Sequence, residues 1–309
     1  MSVRVYIDER IVAPEEARVS VFDRQFLYGD GIFETLRTFG GRLFLGRAHL
    51  ARLRGSAKGV RLPLPWSDGD LLDVMERTVA AAGNEESIVR LMITRGEGPF
   101  GLDPLEAREP RRIVIVRPLT PLPEAYYREG VDVVVSSIRR ISPRAIAAHI
   151  KSGNYLNQAL ALAEGRRRGA FEVVMLSEEG CLAECSTSNL FFVRSGTVHT
   201  PGLEVGILPG LTRALVIGLA RQEGLAVRTG RFPLQTLFAA DEAFLTASIK
   251  GIVPIRRCDG KAIGAGVPGE VTTRLSAAFS SLAARAADDR LAEEEIRRLL
   301  GDAEENAGQ

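Results

Sequence analysis

The chain is poor in lysine. Of its forty basic residues only Lys58, Lys151, Lys250 and Lys261 are lysines, which leaves 36 arginines among 309 residues. Codon bias accounts for such an excess, but it also confines any amine nucleophile to four positions. Cysteine is scarce as well. Cys181, Cys185 and Cys258 form an odd set that cannot build a disulfide framework, which points to a reducing, cytoplasmic setting. Cys181 and Cys185 lack the further Cys or His of a zinc site, and His49, His149 and His199 are scattered, so no metal is expected. No apolar run approaches the ~20 residues of a membrane span, and the alternating start Val3-Arg-Val-Tyr-Ile7 reads as a strand rather than a signal peptide. Excess charge is missing too. Forty basic against thirty-nine acidic groups give a net +1, too even to draw the protein onto nucleic acid or an anionic membrane.

What is present is a globular composition, 45% hydrophobic and 26% charged, long enough for two domains. Residues 1–118 read as a smaller N-terminal domain, 119–129 as a linker carrying Pro121 and Pro123, and 130–284 as a larger domain. Residues 285–309 hold four arginines against eight acids and read as a solvated, flexible tail; Ala292, Ile296, Leu299 and Leu300 give it only a weak helical stripe. In the first domain, residues 32–45 predict a hairpin turning at Gly40-Gly41, with Phe33, Thr35 and Arg37 on one face and Ile32, Glu34 and Leu36 on the other. Helices are expected near 47–60, 69–82, 154–168, 212–223 and 267–283. Strands are expected near 88–94, 112–117, 131–137, 172–177, 189–194, 241–247 and 252–257. Strands and helices mix without strict alternation, which favours an α+β architecture.

Several segments carry chemistry. Gly96-Glu-Gly-Pro-Phe-Gly101 fits a dinucleotide-loop pattern, but Pro99 removes an amide and Leu102-Asp103-Pro104 opens no helix, so a shaped loop is the better reading. Leu208-Pro-Gly-Leu-Thr-Arg213 precedes an apolar-periodic run. The amides of Leu211 and Thr212, with the Thr212 hydroxyl, would face an anion there, or the segment is a plain helix cap. Lys151 precedes a helix bearing Leu156, Leu160 and Leu162; lost hydration would favour its neutral amine as nucleophile or base, whereas a lone lysine more often snorkels. Glu184 lies among small residues, where a turn carboxylate is the default.

Order and spacing bring these segments together. Asp23-Arg24, Tyr28-Gly-Asp-Gly-Ile-Phe-Glu-Thr-Leu-Arg37, Arg47-Ala-His49, Lys151-Ser-Gly-Asn-Tyr155, Glu184 with Ser188-Asn-Leu-Phe, Leu208 to Arg213 and Phe244-Leu-Thr-Ala-Ser248 resemble the fold-type IV (class IV) pyridoxal-phosphate aminotransferases. That family includes branched-chain aminotransferases, D-amino acid aminotransferases and aminodeoxychorismate lyases, and the resemblance covers residues 1–280. It implies a two-domain fold: a small N-terminal α/β sandwich and a larger mixed, β-barrel-like domain with helices. The cofactor would be pyridoxal 5′-phosphate. Lys151 would join its aldehyde as an imine, Glu184 would face its ring nitrogen, and Tyr155 would bond its ring oxygen. Arg47, Leu211, Thr212 and Ser248 would hold its phosphate. The implied reaction is ping-pong: Lys151 is displaced by an amino acid and moves the α-proton, a 2-oxo acid leaves, and a second one runs the steps backwards.

Within the family, Phe100 and Leu102 stand where a D-specific enzyme keeps an arginine and a histidine for the substrate carboxylate. Phe33 replaces that type's hairpin tyrosine, so an L-amino acid, branched-chain types included, is the expected donor and 2-oxoglutarate the expected acceptor. Phe33, Arg37, Arg90 and Tyr155 match the branched-chain pattern, while Ile88, Thr35 and the short Lys151-to-Asn154 spacing lean towards the lyases. Phe33, Thr35, Arg37, Arg90 and Arg95 are the candidate substrate contacts, the arginines for carboxylates. The family resemblance also implies a homodimer.

Overall fold

The computed structural model describes residues 2–107, 109–286 and 290–305. It divides into two compact units, Met1–Thr120 with Ile150–Tyr155, and Pro121–His149 with Leu156–Gln309. Among the described residues, no helix is long and apolar enough to cross a membrane.

The first unit is a helix-covered antiparallel sheet. Its strands are β1 (Arg4–Ile7), β2 (Arg10–Val12), β3 (Gly31–Phe39), β4 (Arg42–Leu43), β5 (Ser87–Thr94) and β6 (Arg111–Pro118), ordered β2-β1-β6-β5-β3-β4. The expected hairpin turns at Gly40 and Gly41, whose φ angles of 56° and 73° suit glycine. A short α1 (Arg24–Tyr28) precedes β3. Helices α2 (Gly46–Gly59) and α3 (Asp68–Ala82) follow, the latter opened by a reciprocal capping box between Ser67 and Asp70. Leu50 and Leu53 of α2 and Leu71 and Met75 of α3 form one core with Ile32, Leu36, Leu91 and Val114 of the sheet. The period of two in β3 therefore buries its even-numbered face under helices and leaves Phe33, Thr35 and Arg37 on the other.

The second unit carries a nine-stranded mixed sheet. Its strands are β7 (Val131–Val135), β8 (Glu172–Leu176), β9 (Leu182–Cys185), β10 (Asn189–Arg194), β11 (Thr197–Pro201), β12 (Val227–Gly230), β13 (Glu242–Ala247), β14 (Gly251–Cys258) and β15 (Lys261–Ala262). The order is β12-β11-β10-β13-β14-β7-β8-β9, with β15 beside β14; β11–β12, β14–β7 and β7–β8 are parallel. Phe192, Leu190, Leu245, Val253 and Ile255 anchor its core. The helices are α4 (Glu124–Glu129), α5 (Leu156–Arg167), α6 (Leu211–Gln222), α7 (Leu234–Phe238), α8 (Glu270–Arg285) and α9 (Arg290–Glu305). The α+β expectation holds in both units.

Three expectations need correction. The 119–129 segment is not merely a linker, because Glu124–Glu129 is helical directly after Pro123, with Tyr127 donating its hydroxyl proton to the Lys250 carbonyl. Asn154 and Tyr155 do not open the expected 154–168 helix, which starts at Leu156, and Lys151 to Tyr155 group with the first unit rather than with the larger domain. They pair with β3: Phe33 N–H donates to Lys151 O at 3.0 Å and Gly153 N–H to Gly31 O at 2.9 Å. The tail is not simply solvated. Ala292, Ile296 and Leu299 of α9 are buried, and α6 brings Gly218 so close that an added Cβ would lie 2.9 Å from Leu299. The stripe looked weak because its burial depends on that glycine, 81 residues away in sequence. Residues 287–289 and 306–309 of the tail lie outside the described residues.

Candidate functional site

In the first unit, β3 fixes Lys151 by its backbone. Besides the Phe33 bond, Lys151 N–H donates to Ser56 Oγ on α2 at 3.0 Å, and Ser152 bridges Ile32. The Lys151 ammonium donates to Tyr155 Oη at 2.8 Å and lies 4.7 Å from the Phe33 ring centre. Phe33 and Tyr155 meet edge to face, with centroids 5.1 Å apart. Among the described residues the amine thus has one hydrogen-bond partner and two aromatic walls, surroundings suited to a reactive lysine. Beside it on the face of the sheet opposite α2 and α3, Arg90 donates its Nε–H to Thr35 Oγ1 at 3.2 Å and lies over Phe33 at 4.7 Å. Register places Arg117 diagonally next to Arg90, since Arg90 faces Ile115 and Ile88 faces Arg117. Arg117 has no acidic partner among the described residues. Two cations together on a face without a carboxylate for Arg117 make a suitable anion seat.

In the second unit, Glu184 sits on β9 with its carboxylate locked. Arg140 Nη2 approaches Oε1 at 3.0 Å, while Asn189 Nδ2 and the Leu208 amide donate to Oε2 at 3.1 and 3.2 Å. Asn189 also donates to the Leu208 carbonyl and is paired in register with Thr246. It therefore ties Glu184 to the loop before α6 and to the end of β13. That loop ends at Gly210, where a Cβ would lie 1.9 Å from Asn189 Oδ1; only glycine lets the turn close. Gly210 is also the N-cap of α6 and brings no side-chain acceptor, so the first-turn amides of Leu211 and Thr212 are left for a ligand or water. Arg213 anchors the helix start to β11 through Thr200 Oγ1 and Pro201 O, and burial pushes its guanidinium down to about 10.

Whether these residues suit a phosphorylated cofactor is tested by two atoms. Thr212 Oγ1 and Thr246 Oγ1 are buried hydroxyls without a hydrogen-bond partner among the described residues, one on the uncapped helix turn and the other beside Asn189. Buried hydroxyls are costly to leave unsatisfied, and an anion with several acceptor oxygens would meet both. The residues fit the group.

Residues 31–258 match the family model described as amino-transferase class IV. The chain belongs to the class IV aminotransferases. It is 32% identical to the branched-chain-amino-acid aminotransferase of Escherichia coli (strain K12) over 284 residues, 90% of this chain and 92% of that one. It is 33% identical to the aminodeoxychorismate lyase of Bacillus subtilis (strain 168) over 273 residues, 88% and 92%. Among solved structures, the T.th. branched-chain amino acid aminotransferase with pyridoxamine 5′-phosphate superposes with a TM-score of 0.89 at 29% identity, covering 95% of this chain and 97% of that one.

The residues expected to serve a class IV aminotransferase are not all available. Lys151, Tyr155, Phe33, Thr35 and Arg90 are together in the first unit, and Glu184, Leu211 and Thr212 are together in the second. Ser248 lies just past β13, two residues beyond Thr246. Arg47 is the second residue of α2, exposed and with no hydrogen-bond partner among the described residues. Arg37 turns along its own strand, donating to Thr38 O and stacking on Phe39 at 4.1 Å. Arg95 is a correction. Its buried guanidinium is spent on Asp30 and on the carbonyls of Val60 and Arg61, so it braces the chain and grips no substrate. Arg24 does similar work, bonding Asp30 and the carbonyls of Gly101 and Leu102, and so shapes the 96–102 loop.

Sequence reasoning missed the support beneath Lys151. Glu34, on the helix-covered face of β3, accepts two bonds from Arg52 at 2.8 and 2.7 Å and pairs with His49 Nδ1 at 2.7 Å. The i, i+3 spacing of His49 and Arg52 on α2 was the available signal. Burial raises the Glu34 carboxyl, but the charge and hydrogen bonds of Arg52, then those of His49, overcome it and bring it from 4.5 to about 2. Burial lowers His49, against the pull of Glu34. Both groups bind fewer protons folded than unfolded, so their stabilisation is lost on acidification: first below about 6.5 for His49, then from about 4.5 towards 2 for Glu34. Glu34→Gln should destabilise the protein by about 3–5 kcal/mol at pH 7 by removing the buried carboxylate charge that Arg52 and His49 share, and should flatten the acid limb between pH 4.5 and 2. Denaturant titrations across that range check both effects.

Proposed function

We propose that the chain is a pyridoxal-phosphate aminotransferase that moves an amino group from an L-amino acid, branched-chain side chains included, to 2-oxoglutarate. The observation that carries this reading is the Lys151 amine held against Tyr155 and Phe33 in a class IV chain. When bound, the cofactor supplies a carbonyl that holds the amino group and a ring that takes up electrons. Lys151 would anchor it and carry the α-proton, and the Tyr155 hydroxyl would hold the amine between transfers. Glu184, fixed by Arg140, Asn189 and the Leu208 amide, would face the ring nitrogen. Leu211, Thr212, Ser248 and Arg47 would bind the phosphate. Arg90, with Arg117 beside it, would receive substrate carboxylates. A panel of L- and D-amino acids with 2-oxoglutarate, read as keto acid formed, tests the reading; activity confined to D-amino acids would reject it.

One observation favours a second reading. The identity to the Bacillus subtilis lyase matches that to the transaminases, and Thr35 here bonds Arg90. Pyruvate and 4-aminobenzoate released from aminodeoxychorismate without a keto acceptor would establish it.

We also propose a cytoplasmic homodimer. Cytoplasmic residence is supported by the free thiols of Cys181, Cys185 and Cys258. The dimer is supported by the first unit's exposed apolar side chains: Phe26, Phe100, Leu102 and Leu105 are 71–88% exposed, an unusual concentration for a free surface. Sedimentation should show a dimer, and Phe26→Ser with Leu105→Asp should shift it to monomer.

A further inference from the structure

Lys250 lies between β13 and β14, two residues after Ser248, and has no part in the proposed reaction. Its ammonium donates to Thr187 Oγ1 at 2.9 Å, Ser188 Oγ at 3.1 Å and Glu172 Oε2 at 3.2 Å. Glu172, the first residue of β8, is 1% exposed. Its Oε1 accepts from Ser186 Oγ and from the Val173 amide at 3.0 Å, and its Oε2 accepts from Thr187 Oγ1 at 2.9 Å. A carboxylate this deep needs a counter-charge, and Lys250 is the cation paired with it. Burial raises the Glu172 carboxyl, but the charge of Lys250 and the hydroxyl and amide bonds outweigh it, so the net direction is down.

The side chains gathered by this pair belong to one turn. Residues 186–188 join Cys185, at the end of β9, to Asn189, at the start of β10, and Cys185 N–H donates back to Ser188 O at 2.7 Å. Asn189 in turn holds Glu184 and the Leu208 carbonyl, while its register partner Thr246 lies four residues before Lys250. A shift of the turn would move Asn189, and with it the Glu184 carboxylate and the entry to α6.

We propose that Lys250 and Glu172 are positioning residues, an ion pair between a half-buried ammonium and a buried carboxylate that sets the turn carrying Asn189 and so holds Glu184 and the α6 amides in register for the cofactor. The proposal rests on the reading that this unit binds pyridoxal phosphate. The pair acts through the turn and touches no reacting atom.

The test is a double-mutant cycle read as the dissociation constant for pyridoxal phosphate. Enzyme stripped of cofactor is titrated at low temperature, with folding verified by circular dichroism. Lys250→Met should weaken binding by about tenfold, since it strands Glu172 and loosens the turn. Glu172→Gln, which keeps the shape and the hydroxyl bonds, should weaken it less. The double variant Lys250→Met with Glu172→Gln should regain most of the loss, and Lys250→Arg should bind close to wild type. If Lys250 instead touched the phosphate, the double variant would bind no better than Lys250→Met, which overturns the proposal. Unchanged binding in Lys250→Met overturns it too. Should Lys250→Met not fold, Thr187→Val in the same titration must weaken binding, and an unchanged constant there has the same force. Wild-type protein that fails to bind pyridoxal phosphate would instead refute the functional reading beneath the proposal.

Discussion

Lys151→Ala should abolish transamination, lowering kcat by about 10^4-fold or more, while the protein stays folded. The size follows from two losses at once, the proposed covalent anchor and the group proposed to move the α-proton. Folding should survive because β3 and α2 hold this segment by backbone groups: Phe33 N–H to Lys151 O, and Lys151 N–H to Ser56 Oγ. None of those bonds needs the ammonium. Coupled assays for keto acid, with urea denaturation as the control, separate the outcomes. Residual turnover within tenfold of wild type would mean that another group carries the proton. Lys250 is a poor understudy, since its ammonium is engaged by Glu172, Thr187 and Ser188.

Glu184 should show the second-largest effect, divided between chemistry and stability according to the substitution. Glu184→Gln keeps the side chain's size but gives up the carboxylate proposed to face the ring nitrogen. A loss of about 10^2–10^3-fold in kcat is expected, the scale of removing one fixed electrostatic partner from a reacting centre. Glu184→Ala strands Arg140, whose side chain is 8% exposed, and so should also cost about 3–5 kcal/mol in unfolding free energy. Arg140→Met with Glu184→Ala should recover much of that stability and none of the activity. Equal kcat losses from Glu184→Gln and Arg140→Met would show that the pair matters only as a structural tie.

The legible parts of this protein are those where a short stretch fixes its own conformation. The hairpin at Gly40-Gly41, the alternation along β3 and the helices α2 and α3 follow from local period and turn chemistry. The match of Lys151, Glu184 and the 208–213 loop to one family was legible as order and spacing. Relations between distant residues were not. Nothing near Lys151 announces that residues 151–153 pair with β3, because that pairing depends on an edge more than 110 positions earlier. Arg95 had the right chemistry for a carboxylate, and only the carbonyls of Val60 and Arg61 and the nearby Asp30 show that its donors are spent. The α9 stripe needed Gly218 on another helix before it could be buried. In each case the deciding partner was a backbone carbonyl, a glycine or a strand edge, groups that carry no signature of their own.

One lysine of four, Lys151, is proposed to anchor pyridoxal phosphate. Borohydride reduction of the cofactor-loaded enzyme fixes the cofactor to whichever amine holds it, and peptide mass mapping then locates it. With so few lysines the answer is unambiguous. A single labelled peptide containing Lys151 is expected; label on Lys58, Lys250 or Lys261, or on none of the four, would show that Lys151 is not the anchor.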